Sequence, residues 1–135
     1  MADTLANFLT APALLTLTSA ELALARQFVF AKWCERAHER GEATPLDLSH
    51  SCKYGTLFMH TVFGGDIAGN YQHQFNIING SIVDLSDAAA DVCALLHPYI
   101  HEPELFDIPE HTASMQGCQP RVAAWVAEFL LLDRR

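Results

Sequence analysis

Three residues in the middle of the chain carry side chains that could act together in covalent catalysis. In chain order they are a thiol, an imidazole and a carboxylate, contributed by Cys52, His73 and Asp84. A thiol that attacks a carbonyl group needs a base to take its proton and a further group to orient that base. These three residue types therefore form a minimal set for acyl transfer through a cysteine nucleophile.

The imidazole and the carboxylate flank a predicted β-hairpin. Asn79-Gly80 lies between two runs of β-forming residues, which predicts a two-residue turn. Because side chains alternate along a strand, His73 then lies on the same face as Asp84, as its diagonal neighbour. Diagonal partners are typically ~7–8 Å apart, a gap that these two side chains can bridge. The predicted register pairs Ile78 with Ser81, Ile77 with Ile82, Asn76 with Val83, and Phe75 with Asp84.

The thiol is predicted to lie in the first turn of a helix that Ser51 caps and that ends at Gly64-Gly65. Free backbone N–H groups and partial positive charge at a helix start stabilise a thiolate and a developing oxyanion. The segment 64–72 can span up to ~30 Å, more than the ~18 Å of the helix, so His73 can return to Cys52. Further candidates for an oxyanion hole or substrate contacts are Ser51, His50, Asn76 and Tyr54.

The other predicted elements are mostly helical. The capping box Thr18-x-x-Glu21 begins a helix that stops at Gly41. Ser86-Asp87 is predicted to cap a helix over 88–96, and Pro120 to open the final helix. Shorter predictions are a helix over 3–9, a strand over 66–68, strands over 71–78 and 81–85, an irregular segment over 97–109 that could cover the site, and a helical turn over 110–115.

Length and charge limit the class of protein. A chain of 135 residues is long enough for one domain, 1–135, with a single core. Sixteen acidic against eight basic residues give a net charge of −8, which disfavours nucleic acid and anionic membrane surfaces as partners. No apolar run is long enough to cross a bilayer. The sequence does not indicate an oligomeric state.

The cysteines and the first residues bear on the compartment. The four cysteines include no C-x-x-C pair. No Lys or Arg precedes Arg26, and Pro12 interrupts the early apolar run, so we expect no secretion signal. We therefore expect a reducing, cytoplasmic setting.

The order and spacing of these motifs resemble papain-like cysteine enzymes of the transglutaminase-like and NlpC type. They are similar in particular to small bacterial proteins of the YunG-like group, in which Cys, an apolar helix to Gly-Gly, His-x-x-Asn, Asn-Gly and an Asp-Leu strand follow one another. The positions that carry the resemblance are Cys52, Gly64, Gly65, His73, Asn76, Asn79, Gly80, Asp84 and Leu85, about a quarter of the chain.

The resemblance implies an α+β fold in which a helix with Cys at its N-terminus packs on a small antiparallel sheet, surrounded by other helices. It implies that Cys52 is the nucleophile, His73 the base and Asp84 the residue that orients it, on a protein or peptide-like amide substrate and without a cofactor. No glutamine occurs between Gln27 and Gln72. An oxyanion hole would therefore use the Cys52 N–H and a neighbour such as Ser51 or His50.

Two other functions fit the same residues. The first is a catalytically inactive binding or regulatory protein on the same scaffold, such as an inhibitor, an immunity protein or an antagonist, since small acidic domains can block a basic partner. The second is a metal site, because Cys, His and Asp are all zinc ligands and His50 and His60 lie nearby in the sequence. The absence of paired ligand spacing makes the metal site the weaker of the two.

Overall fold

The computed structural model describes residues 10–11 and 13–134, which form an α+β fold of helices around a small antiparallel sheet. The predicted helix over 3–9 lies outside these residues. The elements in order are strand β1 (Thr10–Ala11), helices α1 (Ser19–Glu39) and α2 (Cys52–Phe63), strands β2 (Gly65–Gly69), β3 (Gln74–Ile78) and β4 (Ser81–Val83), helix α3 (Ala90–Cys93), a 3₁₀-helix (Pro103–Asp107) and helix α4 (Pro109–Leu130).

The sheet has the order β1-β2-β3-β4, and every neighbouring pair is antiparallel. The predicted hairpin is confirmed, since Ile78 pairs with Ser81 and the next two pairs follow in the same register. Asn79 has a φ of 54° and Gly80 a φ of 78°. Two consecutive positive φ values are what a two-residue turn of type I′ requires, and these residue types tolerate them.

Helix α2 lies at the centre of the molecule. All residues from Gly55 to His60 are buried, because the helix packs against β3 on one side and α4 on another. The Phe58 ring lies 5.1 Å from that of Phe129 in α4 and 5.8 Å from that of Phe28 in α1. Because α2 is covered on several sides, apolar residues such as Leu57, Phe58 and Met59 follow one another along it instead of forming a single stripe.

Two glycines reverse the chain at the end of α2. Gly64 and Gly65 have φ values of 77° and 76°, in the left-handed region that favours glycine. A Cβ at Gly65 would also clash with the carbonyl oxygen of Ile77 in β3. The chain therefore enters β2 directly and runs back towards the N-terminal end of α2.

The prediction of a break before Pro120 was wrong, because α4 is one continuous helix. Pro109 occupies its first turn, and Pro120 lies inside it. A proline in a helix interior costs ~3 kcal/mol, partly through the hydrogen bond lost to the carbonyl four residues earlier. Here that carbonyl belongs to the exposed Gln116, where water can replace the donor. The unbroken buried stripe offsets the cost; it consists of Met115, Cys118, Val122, Trp125, Val126 and Phe129.

The helix predicted over 88–96 was too long, since only Ala90–Cys93 are helical. Its start is held from outside, because the N–H of Ala90 donates to Asp47 Oδ2 at 2.9 Å and that of Asp91 donates to Ser49 Oγ at 3.2 Å. Ser86 does not cap it, since its N–H and hydroxyl both donate to Asp84. Among the described residues, no helix has the length and apolar character needed to cross a membrane.

Candidate active site

The topology brings the three predicted reactive residues to one end of the molecule. Helix α2 begins at Cys52, the chain reverses at its far end, and β2 returns to the start of β3. The strands are shorter than predicted, so His73 lies one residue before β3 and Asp84 one residue after β4. Reversals of direction after α2, between β2 and β3 and at the hairpin thus place both residues at the N-terminal end of α2.

The imidazole and the carboxylate form a buried pair. His73 Nε2 lies 2.7 Å from Asp84 Oδ2, and the two residues are only 3% and 8% exposed. The contact that the hairpin register permits is therefore present. It is shorter than most neutral hydrogen bonds and typical of a bond between charged groups.

The thiol of Cys52 completes the chain of contacts. It is a free cysteine, partly buried, and it lies close enough to the His73 imidazole to help raise the pKa of that ring. Because Nε2 of that ring already faces Asp84, Nδ1 is the nitrogen left for the thiol. The order thiol, imidazole, carboxylate is the arrangement of a nucleophile, its base and the group that orients the base.

The pair carries opposite charges at neutral pH. Burial favours the neutral imidazole, but the hydrogen bonds and charges of Asp84 and Cys52 outweigh it and raise the pKa of His73 to about 9. Burial also opposes ionisation of Asp84, yet His73 and Ser86 together hold the pKa of its carboxyl below its usual value.

Three residues that sequence reasoning missed hold Asp84 in place. Ser86 donates to Oδ1 through its N–H at 3.0 Å and its hydroxyl at 2.9 Å, and the Tyr99 hydroxyl donates to Oδ2 at 3.0 Å. Arg26 of α1 donates to the backbone carbonyls of Asp84 and Leu85. The Asp-x-Ser spacing is a local signal for the first contact. No sequence signal connects Asp84 with Tyr99 or Arg26.

Two of the further candidates lie just before α2 and are already hydrogen-bonded. Ser51 is the N-cap residue, but its hydroxyl donates to Leu48 O at 2.6 Å, and its side chain makes no capping bond. The N–H of His50 donates to Asp91 Oδ2 at 2.8 Å. The His50 side chain is 84% exposed. Both hydrogen bonds therefore hold the chain that leads into the helix.

The other two candidates support neighbouring elements. Asn76 is 1% exposed, and its Nδ2 donates to Thr56 O at 3.0 Å, which ties β3 to α2. The Tyr54 hydroxyl accepts from Arg36 Nε at 3.2 Å, and its ring packs between Trp33 and Trp125. Among the described residues, the N–H groups of Cys52 and Lys53 have no protein acceptor, as expected for the first turn of a helix. They are the donors left for an oxyanion.

The space around the thiol is small. A cavity of about 10 Å³ borders Cys52, Thr56, Gln74 and Asn76, which is room for about one water molecule. A groove of about 550 Å³ has His50 in its lining but neither Cys52, His73 nor Asp84.

The residues named for a metal site are not gathered at one place. His60 Nδ1 lies 3.2 Å from Gly65 O, at the end of α2 opposite to Cys52. Among the residues that the structure describes, no group of three or more His, Cys, Asp or Glu side chains is arranged to hold a metal ion.

Comparison with known proteins adds no relative from which a function could be transferred. No family model matches the chain, and neither a curated protein nor a solved structure is significantly similar to it. The function proposed below is therefore argued from the geometry of the site and from the sequence motifs.

Proposed function

We propose that the protein is a cysteine-dependent acyl-transfer enzyme that acts on an amide of a protein or peptide-like substrate. Cys52 is the nucleophile, His73 the base and Asp84 the orienting residue, on a core of the papain-like or transglutaminase-like type. The observation that carries the proposal is the buried bond of 2.7 Å between His73 and Asp84, on an imidazole that lies beside the Cys52 thiol. No cofactor is needed for this chemistry.

In the first half of the reaction the thiol proton already lies on His73, whose imidazole is protonated at neutral pH, and the Cys52 sulfur attacks the carbonyl carbon of the substrate. The carbonyl π electrons move to oxygen, and the tetrahedral oxyanion lies at the start of α2, where the N–H groups of Cys52 and Lys53 can donate to it. When the C–N bond breaks, the imidazolium donates its proton to the leaving nitrogen. The product is an amine and a thioester on Cys52.

In the second half water or an amine attacks the thioester while His73 takes its proton. The C–S bond breaks, and Cys52 leaves as the thiolate. Hydrolysis, deamidation and transglutamination differ only in the attacking and leaving groups. In each of them the imidazole gains and loses a proton, and the Asp84 carboxylate stabilises its charged form.

Selective alkylation tests the proposal without a known substrate. We expect iodoacetamide near neutral pH to modify Cys52 at least about tenfold faster than the exposed Cys93, because an imidazole-paired thiol is more reactive than a free one. Mass spectrometry of peptides gives the rate at each cysteine. His73→Ala should abolish the difference. Equal rates at the two cysteines, or no effect of His73→Ala, would contradict the proposal.

A binding or regulatory protein on the same scaffold is the second candidate. The observation that favours it is the lack of room at the site, since His73 is 3% exposed and the adjoining cavity holds about one water molecule. If the protein only binds or regulates a partner, Cys52 reacts slowly and the His73–Asp84 pair has a structural role alone. The alkylation experiment separates the two functions, because only the enzyme requires a fast Cys52.

A further inference from the structure

The carboxylate of Asp84 is shared between the imidazole and a tyrosine. Its Oδ2 accepts from the Tyr99 hydroxyl at 3.0 Å as well as from His73 Nε2. Burial and the nearby Asp84 charge raise the pKa of Tyr99 to about 12, so this hydroxyl stays protonated and remains a donor. The Tyr99 ring also lies edge-on to the rings of His73, at 6.1 Å, and Phe75, at 5.3 Å. Tyr99 therefore contacts both members of the pair.

The segment that carries Tyr99 has no regular secondary structure, and the Asn70 side chain bonds it on both sides of Tyr99, while His101 Nδ1 accepts from the Gly69 N–H at 3.1 Å. Asn70 Nδ2 donates to Pro98 O at 3.1 Å and to Ile100 O at 2.8 Å. These carbonyls belong to the residues on either side of Tyr99. The N–H of Glu102 adds a backbone bond of 2.7 Å to Gly69 O. The position of Tyr99 thus depends on the turn that precedes β3.

The same side chain fixes the backbone of His73. Asn70 Oδ1 accepts from the N–H of Gln72 at 2.9 Å and of His73 at 3.1 Å, and the Asn70 N–H donates to His73 O at 2.9 Å. Asn70 is 6% exposed. Its carboxamide therefore uses both N–H donors and both lone pairs of its oxygen on these two segments, which is all that an asparagine offers.

We propose that Asn70 is a positioning residue of the site, which sets the His73 backbone relative to Tyr99 and thereby the geometry of the imidazole–carboxylate pair. Small displacements of such groups have large effects on reaction rates. The inference rests on the proposed function for its effect on catalysis. The placement of His73 and Tyr99 can be measured without any activity.

Asn70→Ser is the main variant. A serine in this turn keeps an acceptor for the following N–H groups but lacks the two donors that reach Pro98 and Ile100. We expect the pKa of Tyr99 to fall from about 12 towards its ordinary value of 10. We expect that of His73 to fall from about 9 by about one unit, because its bond to Asp84 weakens. NMR titration of labelled tyrosine and histidine side chains measures both.

Tyr99→Phe shows whether the effect of Asn70→Ser on His73 comes from a displaced backbone or only from the lost hydrogen bond between Tyr99 and Asp84. Without the tyrosine hydroxyl, Asp84 Oδ2 keeps more of its negative charge for His73, so the pKa of His73 should stay the same or rise. A fall in Asn70→Ser therefore cannot come from the missing Tyr99 bond alone. Gln119→Ser is the control, since it removes an exposed carboxamide on α4, away from the site.

The alkylation rate of Cys52 is the catalytic readout, and we expect it to fall about tenfold in Asn70→Ser and to be unchanged in Gln119→Ser. If Asn70→Ser does not fold, Asn70→Gly replaces it, with the same expected falls. Unchanged pKa values of His73 and Tyr99 in the position-70 variant would overturn the inference. A slow Cys52 in the wild-type protein would refute the proposed function, while the pKa values would still decide the role of Asn70.

Discussion

His73 and His111 are both shielded from solvent, and their imidazoles respond in opposite ways. Burial, together with the charge of Lys53, lowers the pKa of His111. Its Nε2 is buried without a hydrogen-bond partner in the described structure, and its ring lies edge-on to that of Phe106 at 5.4 Å. Burial also acts on His73, yet the pKa of that ring rises to about 9. The difference lies in the partners, because only His73 faces a carboxylate and a thiol.

The contrast between the two histidines shows that the contacts of the site give the His73 imidazole its charge. An apolar environment by itself makes a histidine neutral and a poor partner for a thiolate. Asp84 reverses this effect through one short bond, and Ser86 and Tyr99 keep its carboxylate ionised and fixed. The charge on His73 therefore arises from a group of contacts drawn from separate parts of the chain. His111 shows how an imidazole in this protein behaves without them.

Asp84→Asn should have the largest effect, because it makes His73 resemble His111. We expect the pKa of His73 to fall below its ordinary value of 6.5, and the alkylation rate of Cys52 near neutral pH to fall about 100-fold. Breaking a buried ion pair should also lower the free energy of unfolding by about 3 kcal/mol. NMR titration, alkylation and urea unfolding measure these three quantities.

The control for this experiment is Asp87→Asn, which removes an exposed carboxylate that lies 3.6 Å from Arg26. It should leave the pKa of His73 above 8, since the pair itself is unchanged. A pKa near 9 that survives Asp84→Asn would mean that the carboxylate is not the source of the charge. The difference in pKa between His73 and His111 could then no longer be assigned to Asp84.

The two histidines should change the free energy of unfolding in opposite directions as the pH rises. The pKa of His73 is higher in the folded protein, so its contribution is complete below about pH 6.5 and is lost as the pH rises through about 9, by up to about 3 kcal/mol. The pKa of His111 is lower in the folded protein, so stability is lost there as the pH falls below 6.5. The Asp84 carboxyl, with its lowered pKa, contributes above its ordinary value of 3.8 and loses that contribution in more acidic solution.

Urea unfolding of the wild-type protein and Asp84→Asn between pH 5 and 10 measures these trends. The decrease between pH 6.5 and 9 should be present in the wild-type protein and absent from the variant. The same decrease in both proteins would assign it to other groups.

His111→Phe should have the smallest effect. The substitution removes a buried nitrogen without a partner and keeps an aromatic ring against Phe106. We expect a change in the free energy of unfolding of about 1 kcal/mol or less, in the stabilising direction below pH 6.5. The alkylation rate of Cys52 should change less than about twofold. A large loss of Cys52 reactivity would instead place His111 in the site and end its use as the contrasting histidine.

Local rules predicted the parts of the fold whose causes lie within a few residues. The two-residue turn at Asn79-Gly80 determined the hairpin register, and Thr18 caps α1 by accepting from the Glu21 N–H at 3.1 Å. The position of Cys52 at the start of α2 followed from the apolar run that ends at two glycines. The register permits the His73–Asp84 contact, because it places the two residues on one face as diagonal neighbours.

The errors arose where packing outweighed a local preference. Pro120 normally begins or breaks a helix, but the buried stripe on both sides of it keeps α4 continuous. The helix predicted over 88–96 covers only Ala90–Cys93 in the structure. Its start is fixed by the side chains of Asp47 and Ser49, which lie in the segment before α2. Propensity contributes less than ~1 kcal/mol per residue for ordinary residues, so tertiary contacts of this kind readily override it.

The sequence by itself determined the hairpin, the helix that carries Cys52 and the contact between His73 and Asp84, since each depends on alternation, turn chemistry or capping over a short stretch. Only the tertiary structure decided how that pair is held. Tyr99, Arg26 and Asn70 reach the site through contacts between distant segments. Such contacts form only when the packed core brings those segments together, and no local pattern records them.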